Sequence, residues 1–149
     1  MFILPNSGLR LRAFRSDTDT DNVLLLSNDL EVSSMMNMRL PRPMGKDDDL
    51  KNVEDHTEIF CIVETIPSID TGPSEANFVG ITGLWKGKNP ASRHVMFGIG
   101  LMKKYWNKGY GSEITEFIVD YAFRHLNMHR ISLGVVAVNA RAIAVYKKW

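Results

Sequence analysis

The order of elements legible in this 149-residue chain predicts an α/β fold, a mixed sheet of the α+β kind with helices packed on it. Three observations carry that expectation. Three apolar runs between residues 58 and 102 follow one another through short turn-like links, as the strands of an antiparallel meander do. A glycine-bearing loop then leads into a stretch with a helical apolar stripe. A β-branched run and a short helical segment opening at Asn139 follow it.

Taken in order, LRLRAF (residues 9–14) alternates apolar and charged side chains, the period of a strand with one wet face. RSDTDTDNVLLLSND follows, and its Ser, Asp and Thr residues suit a helix N-cap. Its acidic side chains suit the positive end of a helix dipole. LEVSSMMNMRLPRPMGKDDDLKNVED is expected to hold a short helix, a proline-broken loop and a polar helix over Asp47 to Asp55. Its Met and Pro content fits either a flap over a site or a plain connector. EIFCIVET, from Glu58, reads as a strand, and IPSIDTGPSEAN as a turn segment. FVGITGLWKG and HVMFGIGLM read as two more strands around the turn-like KNPASR. Ile114, Phe117, Ile118, Tyr121 and Ala122 fall at the i, i+3, i+4, i+7, i+8 positions of an amphipathic helix. HRISLGVVAV reads as a further strand, and NARAIAVYKKW as a short helix with Asn139 at its N-cap.

Composition limits the function classes. With 44% hydrophobic and 23% charged residues the chain is of a folding, globular type, expected as one domain over residues 1–149. A formal net charge of +1 gives no reason to expect nucleic acid or a membrane surface as partner. No apolar run approaches the ~20 residues of a membrane span, and the first residues lack a basic leader, so a cytoplasmic protein is expected, with the nucleus as the other compartment. The lone Cys61 sits inside an apolar run and reads as a buried thiol. No metal site is expected.

The chemistry-bearing stretch is KKYWNKGYGSE, Lys103 to Glu113. A Walker loop requires Gly-Lys-Ser/Thr, which no glycine here supplies. The dinucleotide pattern G-x-G-x-x-G fails from Gly98, where Lys103 stands at the third glycine, and from Gly109, where Ile114 stands there. What remains is strand, loop and helix start. Such a start presents unpaired N–H groups and a positive partial charge, which suits a pyrophosphate, and glycine lets a ligand approach the backbone closely. On glycine spacing alone, an anion site and an unliganded turn stand level.

The chain from residue 78 to 149 resembles the GNAT superfamily of acetyl-CoA-dependent N-acetyltransferases. It is most similar to the branch holding ribosomal-protein N-terminal and spermidine acetyltransferases. The superfamily's loop reads [Q/R]-x-x-G-x-[G/A], and in this branch often W-G-K-G-Y-[G/A]-T-E. Here it is Trp106-Asn107-Lys108-Gly109-Tyr110-Gly111-Ser112-Glu113. Downstream, the branch's N-x-x-[A/S]-x-x-x-Y falls on Asn139, Ala142 and Tyr146. The resemblance implies acetyl transfer from acetyl-CoA, as cosubstrate, to a primary amine of a protein N-terminus, polyamine or small molecule. Asn107, Lys108, Gly109, Tyr110, Gly111 and Ser112 would take the pyrophosphate. The backbone of Gly100, Leu101 and Met102 would pair with the pantetheine arm. Asn139 would cap its helix and bond the pantetheine, and Tyr146 would be the general acid. Trp106, in a slot where many relatives have Arg or Gln, is expected to pack. Glu113 is expected to favour the helix dipole or close a cap. A β-bulge at Gly98 or Gly100 would splay that strand from ISLGVVAV and aim an N–H at the thioester carbonyl. The alternative reading on Gly98 and Gly100 is that they only admit bulky neighbours.

Two departures from the branch set further expectations. Its usual Glu base falls on Met96, which accepts no proton, leaving Glu64, His94 or a water chain. The G-F and hairpin strands that follow the tyrosine helix in relatives are missing after Trp149, which reads as a C-terminally truncated domain or one completed by another chain, and so as a possible homodimer. The acceptor would bind against the region from Arg39 to Asp55. The alternative function is a non-catalytic acyl-CoA-binding or regulatory module on the same fold.

Overall fold

The protein is described here by a computed structural model, covering residues 1–36, 43–45, 50, 52–67 and 76–149. Arg39, Arg42, Asp47, Asp48 and Asp49, expected to flank the acceptor, lie outside the described residues, as does most of the turn segment after Pro67. The strands are β1 (Phe2–Ile3), β2 (Leu9–Ala13), β3 (Thr57–Thr65), β4 (Phe78–Lys86), β5 (His94–Leu101) and β6 (Arg130–Ser132). The helices are α1 (Thr20–Asn28), α2 (Leu30–Met36), α3 (Val53–His56), α4 (Tyr110–Arg124) and α5 (Ala140–Tyr146).

The sheet runs β1-β2-β3-β4-β5-β6 in sequence order. Its first five strands pair antiparallel, and β5 and β6 pair parallel. The expected meander is present. Its strands bury both faces, because β3 and β4 carry apolar residues at nearly every position. On one face Ile114, Ile118 and Ala122 of α4 are fully buried against Leu9, Leu11, Cys61, Val63, Val95 and Phe97. On the other, Val23 and Leu26 of α1 and Val32 of α2 pack on Phe60, Ile62 and Ile81. Each fully buried Val, Leu or Ile among them stabilises the fold by about 1.5–3 kcal/mol relative to exposure.

Several expectations change. The final strand stops at Ser132, because the ladder with β5 ends at Met96↔Ser132 and residues 133–138 continue without a pairing partner. The β-bulge expected at Gly98 or Gly100 is absent from the β4–β5 ladder, whose register is unbroken from Gly80↔Leu101 to Lys86↔Val95. The glycines admit neighbours instead: a Cβ on Gly98 would lie 2.7 Å from the Trp85 ring, and one on Gly100 would collide with Met36. Register shifts fall between β3 and β4. Of the helix expected over Asp47 to Asp55, the described part is the single turn of α3.

Asp19 occupies the N-cap position of α1 without capping it. Its carboxylate instead takes Arg12 through two bonds of 2.7 and 2.8 Å and the Arg15 amide at 2.7 Å. Burial works to raise this carboxyl, but those bonds outweigh it and hold it below the ordinary aspartate value. Cys61 is buried as expected, and desolvation pushes its thiol up to about 11, against a small lowering by the N-terminal charge.

Candidate active site

The loop between β5 and α4 turns twice through left-handed backbone, at Asn107 (φ 61°) and at Gly109 (φ 81°), the N-cap of α4. These turns lay out successive amides at the positive end of a 15-residue helix. The Glu113 amide donates to the Gly109 carbonyl. Among the described residues, the amides of Asn107, Lys108, Gly109, Tyr110, Gly111 and Ser112 donate to no protein acceptor. A Cβ added at Gly111 would meet nothing within 4 Å, so the ground above this helix turn is open. Trp106 packs, as expected, and also donates its Nε1–H to the Leu101 carbonyl at 2.9 Å. The Arg141 guanidinium of α5 lies 3.9 Å over its ring. Glu113 acts through tertiary structure: its carboxylate accepts the Asn6 amide at 2.9 Å and ties the β1–β2 link to α4.

The orientation of β5's own amides follows from its ladder. The Met102 amide donates to the Val79 carbonyl at 2.8 Å, so even-numbered residues of β5 turn their polar groups toward β4. Odd-numbered ones turn away. Up to Val95 that means toward β6. Past Met96↔Ser132, where β6 departs, it means an open gap. Gly100 and Met102 are therefore engaged with β4. Ile99 and Leu101 aim their N–H groups into the gap, with no acceptor among the described residues. Ile99 is the residue that sequence reasoning missed; strand parity singles it out, and the sequence does not state parity.

The helix α5 stands on the α4 side of the sheet. The Asn139 Oδ1 accepts the Ala142 amide at 3.1 Å, the expected cap. Its Nδ2 donates to the Met35 carbonyl of α2 at 3.2 Å. Because α2 packs on the opposite face, that bond reaches across the gap. Tyr146 packs edge-on against Phe97, centroids 6.2 Å apart at 90°. Burial raises its phenol above the ordinary tyrosine value, and its hydroxyl has no hydrogen-bond partner among the described residues. A cleft of about 530 Å³ lies between α2, the β5–α4 loop and α5, lined by Glu31, Ser34 and Met35 of α2, Lys103, Trp106 and Asn107 of the loop, and Arg141. An exposed 2.6 Å ion pair from Lys103 to Glu31 spans it.

Of the expected proton acceptors, Glu64 is buried and its Oε1 is held by Arg10 at 2.6 Å and Arg12 at 2.9 Å. Taking up a proton there would break two ion pairs. His94 lies at the start of β5, its Nε2 2.8 Å from the Ser132 hydroxyl. Met96 is 53% exposed and lies beside Ser132 in the ladder. Among the described residues no group of three metal-ligating side chains occurs, and no helix is long and apolar enough to cross a membrane.

Unclaimed amides at a helix start run up to a strand edge opened by a departing neighbour, an arrangement that suits an anion followed by an extended, amide-rich chain. The profile of the acetyltransferase (GNAT) domain matches residues 8–149, and the chain belongs to that family: by class it is an acetyl-CoA-dependent N-acetyltransferase. Among its relatives, spermidine N(1)-acetyltransferase of Vibrio cholerae is 25% identical over 148 residues, which cover 96% of this chain and 78% of that protein. The probable N-acetyltransferase YjcK of Bacillus subtilis is 32% identical over 75 residues, half of this chain and 41% of that protein. A crystal structure of the Vibrio cholerae spermidine N-acetyltransferase with CoA and spermine superposes with a TM-score of 0.77 at 26% identity, over 96% of this chain and 80% of that one. A dodecameric structure of that enzyme in an intermediate state gives 0.70 at 26% identity, over 96% and 78%.

Proposed function

We propose that this chain, as a single domain, moves the acetyl group of acetyl-CoA to a primary amine of a polyamine. The observation that carries the reading is the run of unclaimed amides at 107–112 leading to the free N–H groups of Ile99 and Leu101. The helix-start amides suit a pyrophosphate, whose charge the α4 dipole favours. The two strand amides are spaced to pair with an extended, amide-rich pantetheine as an added strand would. One of them would remain free for the carbonyl oxygen as it becomes an oxyanion.

Tyr146 supplies the acid. The amine nitrogen attacks the thioester carbon, the C–S bond breaks, and the thiolate takes the phenolic proton. Burial keeps that phenol protonated beyond the ordinary tyrosine range, so it remains a donor at any neutral or mildly basic pH. Asn139 holds α5 in place through its cap and offers its Nδ2–H to a pantetheine carbonyl in exchange for Met35. The acceptor would enter from the α1–α2 face, opposite Tyr146, so that attack and departure occur on opposite sides of the sheet.

A polyamine is favoured as acceptor because the relatives that match nearly the whole chain act on spermidine. Self-association is proposed as well: β6 is one of the two edge strands of the sheet among the described residues, and an unpaired edge can pair with another chain. A single monomer by light scattering would contradict that. The function is tested by following CoA thiol release with polyamines, N-terminal peptides and aminoglycosides. Polyamines are expected to turn over fastest. Binding of acetyl-CoA with no release on any amine would replace the reading with a non-catalytic acyl-CoA module.

A further inference from the structure

The acceptor reaches the site as an alkylammonium with a pKa near ~10, and one proton must leave before attack. Met96 cannot take it, and Glu64 is committed to two arginines. The face from which the acceptor would enter does hold another acceptor. Paired residues in a parallel ladder share a face, so His94 and Met96 of β5 and Ser132 of β6 lie together, opposite Val95, Ile131 and Phe97. That is the α1–α2 face, the one carrying Gly98 and Gly100. Met96↔Ser132 is also the last rung before β5 and β6 part. The Ser132 hydroxyl therefore stands at the apex of the gap, on the side away from Tyr146.

We propose that Ser132 and His94 form a proton relay that deprotonates the incoming amine. The inference rests on the acetyltransferase reading above. Among the described residues the His94 ring has one hydrogen-bond partner, the Ser132 hydroxyl, at 2.8 Å, and both side chains are partly buried. With the imidazole proton on Nδ1, Nε2 accepts the Ser132 O–H. The hydroxyl oxygen is then free to accept from an ammonium in the gap. As the ammonium gives its proton to Ser132 Oγ, the Ser132 proton passes to His94 Nε2, and the ring later releases it to water. The freed lone pair attacks the thioester carbon. The second proton lost from nitrogen restores Tyr146 after the phenol has protonated the departing sulfur. The sum is ammonium plus acetyl-CoA giving amide, CoA thiol and one proton. The charged residues beside His94 are Arg130, its partner across the β5–β6 ladder, and Arg93 before it in the chain. The ring's Nδ1 lies against the Gly87 backbone, 3.4 Å from where a Cβ there would stand.

The test compares His94→Gln, Ser132→Ala and Ser132→Thr with wild type, using the polyamine turned over fastest. His94→Gln and Ser132→Ala are expected to lose about 100-fold in kcat at neutral pH, with acetyl-CoA affinity by calorimetry unchanged, while Ser132→Thr keeps most of the rate. The deficit should shrink toward the wild-type rate as pH approaches ~10, where the acceptor loses its proton without help. A structural role would leave the deficit unchanged with pH. The proposal is overturned if either deletion stays within about threefold of wild type, or if the deficit persists for the neutral amine. A wild-type protein that binds acetyl-CoA but acetylates nothing would overturn the acetyltransferase reading itself, a result distinct from both.

Discussion

Replacing Tyr146 by Phe removes one oxygen and little else. The ring keeps its edge-on contact with Phe97, and the lost hydroxyl has no hydrogen-bond partner among the described residues. Stability should therefore change by no more than about 0.5 kcal/mol, the range of substitutions that break no named interaction. Activity should change far more. A thiolate whose acid has a pKa near ~8.5 takes a proton from a phenol above ~10 at a cost of at least about 2 kcal/mol, at 1.36 kcal/mol per unit. Taking it from water, with a pKa near ~15.7, costs roughly 10 kcal/mol. Part of that difference is recovered by bound water and by the developing charge being shared, and general acids contribute about 10²–10⁴ in rate. The expected result is a fall of that size in kcat, with acetyl-CoA affinity nearly intact. Thiol release and calorimetry on the same preparations measure both. A kcat within about threefold of wild type, or a loss that follows weakened CoA binding, would refute the assignment.

Other consequences follow from the same geometry. Asn139→Asp keeps an oxygen to cap Ala142 but loses the Nδ2–H that reaches Met35, whereas Asn139→Ala loses both. Thermal melts should show the Ala variant about 1 kcal/mol less stable than the Asp variant, and an equal pair would contradict the cap. Gly109→Ala places a Cβ on left-handed backbone at φ 81°, which should destabilise by about 1–2 kcal/mol and weaken CoA binding, both measurable in one thermal-shift titration. Asp19 is held below its unfolded value, so its contribution is present above the ordinary aspartate pKa and is lost as pH falls through the folded one. Acid titration of stability should show that limb, and Asp19→Asn should flatten it. Cys61, with its thiol raised to about 11 and buried, should not react with a thiol reagent until the protein unfolds, leaving released CoA as the signal in the assay.

Local patterns carried most of the fold. The alternation in β2, the apolar runs of β3 to β5 and the stripe of α4 are each set by residues close in sequence, and each forms where its pattern falls. β1 is two residues long and exists only because β2 pairs with it. β6 is shorter than its β-branched run suggests, since a ladder needs a partner and β5 supplies one for three residues. At the site, the helix-start loop and the cap at Asn139 were legible for the same local reason. The rest depends on distant partners. The Met102–Val79 and Gly87–His94 bonds, at opposite ends of the ladder, show that Ile99 and Leu101, rather than Gly100 and Met102, face the gap. Nothing near Asn139 in sequence points to Met35, and nothing near Asp19 explains why it serves Arg12 instead of its own helix. Gly98 read first as a bulge and only second as room for a neighbour, and Trp85, thirteen residues earlier, decides for the neighbour.

Acetyl transfer here depends on where the donor lies, and amide chemical shifts report that residue by residue. Titrating ¹⁵N-labelled protein with CoA should move the amides of residues 107–112 together with those of Ile99 and Leu101, while Gly100, bonded to β4, moves least along that strand. Shifts confined to other elements, or none at saturating CoA, would contradict it.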